Sequence, residues 1–162
     1  MEVTININGQ QVFRDVEPRT LLVHFIRDTP GLTGTHWGCD TSNCGACVVL
    51  MDGKPIKSCT TLAAMAAGHE IRTVESLETE AGLDPVQLGF HEKHGLHCGF
   101  CTPGMLMTTR ALLNENANPT EAEIRTAISG AICRCTGYKN IVSAVRWAAE
   151  HEAERSATKQ EA

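Results

Sequence analysis

Eight cysteines in 162 residues fall into two quartets of different spacing, and any fold for this chain has to bring them together. The first reads Cys39-x4-Cys44-x2-Cys47-x11-Cys59 and the second Cys98-x2-Cys101-x31-Cys133-x1-Cys135. Thiols grouped in this way are either bridged to one another or bound to a metal. Eight cysteines in 162 residues is about 5%, below the density of a small disulfide-stapled scaffold. The start, Met1-Glu2-Val3-Thr4, has no charged region followed by an apolar run, so a secretory signal is not expected. Cys-x-Cys and Cys-x2-Cys pairs make poor structural bridges but ordinary metal ligands.

Composition narrows the classes further. A net charge of −5 with no Lys/Arg stripe leaves no electrostatic footprint for nucleic acid. No apolar stretch reaches the length of a membrane span, so the chain is expected to be soluble and cytoplasmic. Each half of the chain would hold roughly 75 residues, a size at which an apolar core is marginal and metal ligation helps.

In the first half, Val3, Ile5 and Ile7 alternate with polar residues as in a strand, and Asn8-Gly9 signals a hairpin returning through Val12, Phe13 and Val16. Thr20 is placed to cap a short helix with Leu21, Leu22, Phe25 and Ile26 on one face. A loop from Gly31 to Gly45 holds Cys39 and Cys44. A second hairpin follows, Ala46–Met51 and Lys54–Cys59 about Asp52-Gly53, then a small-residue helix at Thr60–Ala67 and a strand at Ile71–Val74. Beyond residue 76 the pattern is helical only. Asp84-Pro85 opens a helix reaching His94, and Thr102-Pro103 opens one carrying Met105, Leu106, Ala111 and Leu112. Thr120-x-x-Glu123 is a capping box, and a last helix presents Ile141, Val142, Ala144, Val145, Ala148 and Ala149. The fold class is therefore α+β. A β-grasp ferredoxin-like domain over residues 1–77 precedes a four-helix-bundle domain over 78–152, and 153–162 form a charged, disordered tail.

A four-residue gap, a two-residue gap and a distant fourth cysteine is the spacing that wraps one [2Fe–2S] cluster in plant-type ferredoxins. Cys39, Cys44 and Cys47 would wrap it and Cys59 would complete it. Gly38 and Gly45 would let backbone amides turn towards sulfide. In the second half, Cys98 and Cys101 precede one helix, and Cys133 and Cys135 lie between two others. Two pairs from two connections can converge at one end of a bundle, where helix N-termini favour an anionic cluster. Zinc stays open for this quartet, since two cysteine pairs suit a tetrahedral site, although one residue between Cys133 and Cys135 is tight for it. His91, His94 and His97 recur every three residues and read as an exposed polar face with one functional member, His97. Met105 and Met107 read as core or interface residues, and Trp37 and Trp147 as packing anchors. Arg134, between two ligands, would tune a cluster, meet a partner or simply face solvent.

Gly38-Cys39, Cys44-Gly45-Ala46-Cys47, Cys98-Gly99-Phe100-Cys101-Thr102-Pro103-Gly104-Met105 and Cys133-Arg134-Cys135-Thr136-Gly137-Tyr138 together resemble the small iron–sulfur subunit of the xanthine oxidase family of molybdenum hydroxylases. Asp40-Thr41-Ser42 resembles the aerobic carbon monoxide dehydrogenase branch. The resemblance implies two [2Fe–2S] clusters, one held by Cys39, Cys44, Cys47 and Cys59 and the other by Cys98, Cys101, Cys133 and Cys135. It also implies a large subunit carrying molybdopterin, as the cytosine dinucleotide, and a medium subunit carrying FAD, assembled as a dimer of heterotrimers. Electrons would pass from molybdenum through the helical cluster, then the ferredoxin-like cluster, to flavin. The complex would be cytoplasmic, with any association to the inner face of the membrane made through it. This chain would carry no substrate chemistry, and the oxidation of CO is the expected reaction of the complex. The same role in an aldehyde or N-heterocycle dehydrogenase is the alternative. The family has Gln where His97 stands, bonding the pterin; imidazole can keep one such bond but not the bidentate amide geometry. Two readings of other classes remain: a free-standing ferredoxin, which leaves the helical half unexplained, and a zinc-stabilised interaction protein.

Overall fold

A computed structural model describes residues 1–80 and 82–160. Strands β1 (Glu2–Ile7) and β2 (Gln10–Asp15) form the first hairpin, and α1 (Leu22–Asp28) packs its buried face against β1. Strands β3 (Val48–Met51) and β4 (Lys54–Lys57) form the second, and β5 (Glu70–Arg72) closes the sheet in the order β2-β1-β5-β3-β4. Among the described residues only the β1–β5 pairing is parallel. Both hairpin turns place their two central residues at positive φ, Asn8 and Gly9 at 53° and 81°, Asp52 and Gly53 at 50° and 81°. That is the turn whose twist matches paired strands. Val3, Ile5 and Ile7 point inwards from β1, as the alternation predicts, and pack with Leu22, Phe25, Ile26, Val49 and Ile71.

Four helices follow: α2 (Pro85–Glu92), α3 (Thr102–Glu115), α4 (Glu121–Ile128) and α5 (Lys139–Gln160). Asp84 and Gln87 close a capping box on α2, and Thr120 and Glu123 close one on α4. The helices supply most of a second core but not all of it. Val48 and Leu50 of β3 complete it, packed with residues such as Met105, Leu106, Val86 and Phe90. Because side chains alternate along a strand, β3 sends Val49 into the sheet–α1 core and its neighbours into the helical one. One strand thus belongs to both halves.

Three local expectations are corrected. Thr60–Ala67 is not a helix but falls within and between two short 3₁₀ turns, Ser58–Thr60 and Ala63–Ala66. Thr20 does not cap α1; Leu21 holds the cap position, while the Thr20 carbonyl accepts from Ala63 N at 2.8 Å. Helix α5 continues to Gln160 over most of the stretch expected as a disordered tail, and 161–162 lie outside the described residues. The Ala, Glu, Arg, Lys and Gln of that stretch are strong helix formers, which a reading for missing apolar residues overlooks. No helix among the described residues is long and apolar enough to cross a membrane.

Candidate iron–sulfur centres

The first quartet is assembled by a loop and a hairpin. Cys39 and Cys44 lie in the connection between α1 and β3, Cys47 immediately precedes β3, and Cys59 sits in the 3₁₀ turn after β4. Pairing of Val48 with Lys57 sets Cys47 beside Ser58, whose Oγ donates to the Cys47 carbonyl at 2.7 Å. The thiols of Cys39 and Cys44 are hydrogen-bond partners, as are those of Cys47 and Cys59, and Cys59 also feels the charges of Cys39 and Cys44. All four therefore form one group.

Backbone amides converge on the Cys39 sulfur. Cys44 N lies 3.4 Å from it, and the amides of Thr41 and Asn43 add to the effect. The Cys44 amide and thiol, followed by those two amides, bring the Cys39 thiol down to about 6. The turn that aims them needs Ser42 in the left-handed region at φ 60°, braced by Lys57 Nζ donating to the Ser42 carbonyl at 2.5 Å. Burial acts the other way on the deeper thiols. It pushes Cys44 up, against the amides of Ala46 and Gly38, and pushes Cys59 up to about 12 with help from Cys47.

The second quartet joins two connections. Cys98 and Cys101 lie between α2 and α3, Cys101 at the cap of α3, while Cys133 and Cys135 lie between α4 and α5. Cys135 Sγ is 3.6 Å from Cys98 Sγ, and the buried Cys101 and Cys133 are thiol partners. Burial, reinforced by Cys133, pushes Cys101 up to about 12. Burial pushes Cys133 up too, but the Thr136 hydroxyl, donating to its sulfur at 3.2 Å, and the amides of Cys135 and Thr136 outweigh it, so the thiol lies below its ordinary value. Tyr138 OH accepts from Cys133 N at 2.9 Å and fixes the loop from below.

Among the described residues, no three His, Cys, Asp or Glu side chains close on one point as around a single metal ion. Each quartet is instead two thiol pairs. Four cysteine thiols in each quartet, amides turned on the sulfurs, and in each quartet one thiol, Cys59 or Cys101, that burial holds protonated unless a cation lies beside it, are a donor set that fits a [2Fe–2S] cluster.

The two quartets face each other. Ile132 N donates to the Cys44 carbonyl at 2.8 Å. Phe100, between Cys98 and Cys101, lies over Gly38, where a Cβ would come within 2.7 Å of the ring. His36 stacks on that ring at 4.9 Å, and its Nδ1 meets the Phe100 carbonyl at 2.7 Å. These contacts carry no local sequence signal; Thr136 and Tyr138 were visible only as parts of a motif. His97 is exposed beside the exposed Cys98, and His91, His94 and Arg134 are exposed as well. Met105 and Met107 are core residues. Trp147 is half-buried against His151, at 3.7 Å between rings. Trp37 is no packing anchor: it is 47% exposed and meets the His24 ring edge-on. With Leu96, Phe100 and Ile132 it makes four exposed apolar side chains, each within two residues of a quartet cysteine.

Residues 5–76 match the 2Fe-2S iron-sulfur cluster binding domain family, and residues 73–146 match the [2Fe-2S] binding domain family. Over 147 residues the chain is 50% identical to caffeine dehydrogenase subunit gamma of Pseudomonas sp. strain CBB1, spanning 89% of this chain and 88% of that one. It belongs to the [2Fe–2S] small-subunit family of the molybdenum hydroxylases. Members of this family are the iron–sulfur electron-transfer components of oxidoreductase complexes. The crystal structure of quinoline 2-oxidoreductase from Pseudomonas putida 86 contains a chain that superposes with a TM-score of 0.90 at 44% identity, covering 95% of this chain and 96% of that one. The aldehyde oxidoreductase of Desulfovibrio desulfuricans also superposes at 0.90, with 35% identity, but this chain spans only 17% of that polypeptide.

Proposed function

We propose that this chain relays electrons within a molybdenum hydroxylase complex that oxidises a nitrogen heteroaromatic. In this reading Cys39, Cys44, Cys47 and Cys59 hold one [2Fe–2S] cluster, and Cys98, Cys101, Cys133 and Cys135 hold the other. The carrying observation is that two complete thiol quartets meet across one backbone seam. When bound, such clusters supply one-electron redox chemistry. The chain's own residues provide the rest: amides aimed at Cys39, the Thr136 hydroxyl on Cys133, and an apolar rim of Trp37, Leu96, Phe100 and Ile132. The division into a ferredoxin-like part, 1–77, and a helical part, 78–152, assigns one cluster to each.

Partners follow from the same reading. A large subunit with molybdopterin cytosine dinucleotide abuts the Cys98 side, where His97 bonds the pterin, and a medium subunit with FAD abuts the Cys39 side. The assembly is a dimer of heterotrimers located in the cytoplasm. The heteroaromatic substrate class is supported by the similarity to caffeine dehydrogenase and quinoline oxidoreductase subunits. Oxidation of CO stands as a second reading, favoured by Asp40-Thr41-Ser42 alone.

The test is to purify the chain with its co-expressed partners, count iron and sulfide, and assay caffeine, quinoline, an aldehyde and CO with an artificial acceptor. About four irons and about four acid-labile sulfides per chain are expected, two of each per cluster. Turnover of a heteroaromatic by the complex, and none by the isolated chain, completes the expectation. Stoichiometric zinc, or sustained turnover by the chain alone, would overturn the reading, and turnover confined to CO would replace the substrate class.

A further inference from the structure

Gly104 is the third residue of α3 and follows Cys101 by three positions. A Cβ there would stand 2.1 Å from the Gly45 carbonyl oxygen and 3.1 Å from Ala46 Cα. No ordinary packing adjustment absorbs such an overlap with backbone. Gly45 itself, at φ 71°, presses from the other side: a Cβ on it would lie 2.4 Å from the Gly130 carbonyl oxygen and 2.7 Å from Ala131 Cα. The segment Cys44-Gly45-Ala46 is thus clasped between the start of α3 and the turn before Cys133. The Ile132 N to Cys44 carbonyl hydrogen bond fastens the second of these contacts.

Glycine permits backbone to approach backbone where any side chain would hold the two apart. Here both approaches join a residue adjacent to a first-quartet cysteine to a residue within three positions of a second-quartet cysteine. The nearest atoms are backbone in both, with the Ala131 methyl beside the second.

We infer that this backbone seam sets the spacing between the two cluster sites, with Gly104 as its positioning residue. The inference rests on the reading that each quartet holds a [2Fe–2S] cluster. Electron exchange between two centres falls steeply with their separation, so the seam governs how well the chain conducts, not whether either cluster assembles. Gly104 carries no thiol, and replacing it leaves all eight cysteines in place.

Gly130→Ala provides a matched control, because a Cβ there meets nothing within 4 Å. The experiment uses the purified complex, chemically reduced, with iron and sulfide counted first. Low-temperature electron paramagnetic resonance then records the magnetic splitting between the two reduced clusters. Fewer than two clusters in the unsubstituted complex would remove the premise, and that failure is seen before any variant is compared. With two clusters present, Gly104→Ala should keep full iron content and both individual signals. It should lose much of the splitting and slow re-oxidation of the molybdenum-side cluster, while Gly130→Ala changes nothing. Unchanged splitting in Gly104→Ala would overturn the inference, as would an equal loss in Gly130→Ala. Should Gly104→Ala fail to fold, residue 132 can be introduced as its α-hydroxy acid, which deletes the donor to the Cys44 carbonyl. Reduced splitting in that ester variant supports the seam, and unaltered splitting refutes it.

Discussion

Arg110 is 5% exposed and holds three elements at once. Its Nη2 donates to both Glu152 carboxylate oxygens on α5 at 2.7 and 2.8 Å. Its Nη1 reaches both Asp84 oxygens at 3.3 Å, and its Nε donates to Asn114 Oδ1 at 3.0 Å. Asp84 is also the cap of α2, accepting from Val86 N at 2.8 Å, so the guanidinium steadies the start of one helix and a turn of another. Arg110→Met keeps most of the side-chain volume and deletes the charge. Breaking a buried pair by removing one partner costs about 3–5 kcal/mol, and the one-third exposure of the Glu152 side chain brings the expected loss to about 2–3 kcal/mol. For a chain of this size that is about 4–12 °C in melting temperature. The measurement is calorimetry of the chain with clusters loaded, repeated on Arg110→Met/Glu152→Leu, which removes one stranded carboxylate and should recover part of the loss. A drop under about 2 °C in the single variant would show that water already satisfies these carboxylates, and the cross-brace argument would fail.

Three further outcomes are expected. Cys47→Ser should abolish one cluster signal and Cys133→Ser the other, each halving the iron, because the quartets share no thiol; loss of both signals from either folded variant, read by electron paramagnetic resonance, would refute the grouping. In the metal-free chain Cys39 should be the first thiol alkylated by iodoacetamide at pH 7, since a thiol at about 6 is about nine-tenths thiolate there. Its rate should fall about tenfold on going to pH 5, below that value, and peptide mapping that found Cys59 or Cys101 equally fast would contradict the amide-nest geometry. His97→Ala should slow electron entry from molybdenum without lowering stability by more than about 0.5 kcal/mol, as befits an exposed side chain; stopped-flow reduction of the clusters checks it, and an unchanged rate would argue against the pterin contact.

Features with strictly local chemistry could be read from the sequence. Asn8-Gly9, Asp52-Gly53, Asp84-Pro85 and Thr120-x-x-Glu123 each specify their own turn or cap, and the structure forms all four. Thr60–Ala67 shows the limit. Its small residues would suit a helix, but Leu62 bridges to Leu21 and Ala63 N bonds the Thr20 carbonyl, so tertiary pairing leaves room only for 3₁₀ turns. The cysteine grouping was visible as spacing, whereas the amides aimed at Cys39 depend on Ser42 adopting a left-handed backbone that no motif announces. Two subtler signals lie in the sequence as well. Val48-Val49-Leu50 lacks the polar alternation of a strand with one wet face, the mark of burial on both sides. A glycine in the first turn of α3, a costly choice for a helix, marked the close approach to Gly45.

The double allegiance of β3 bears on how such proteins can be recombined. A crossover at the join between the two family segments would exchange the helices and leave the strand behind. Val48 and Leu50 would then present the old parent's pattern to a new parent's Met105, Leu106, Val86 and Phe90. Cores tolerate mismatched volumes poorly, losing about 1–3 kcal/mol for overpacking and more for voids. Shuffled chains should therefore become viable when two residues of the sheet travel with the helices, so that the heritable unit of the second half begins inside the first.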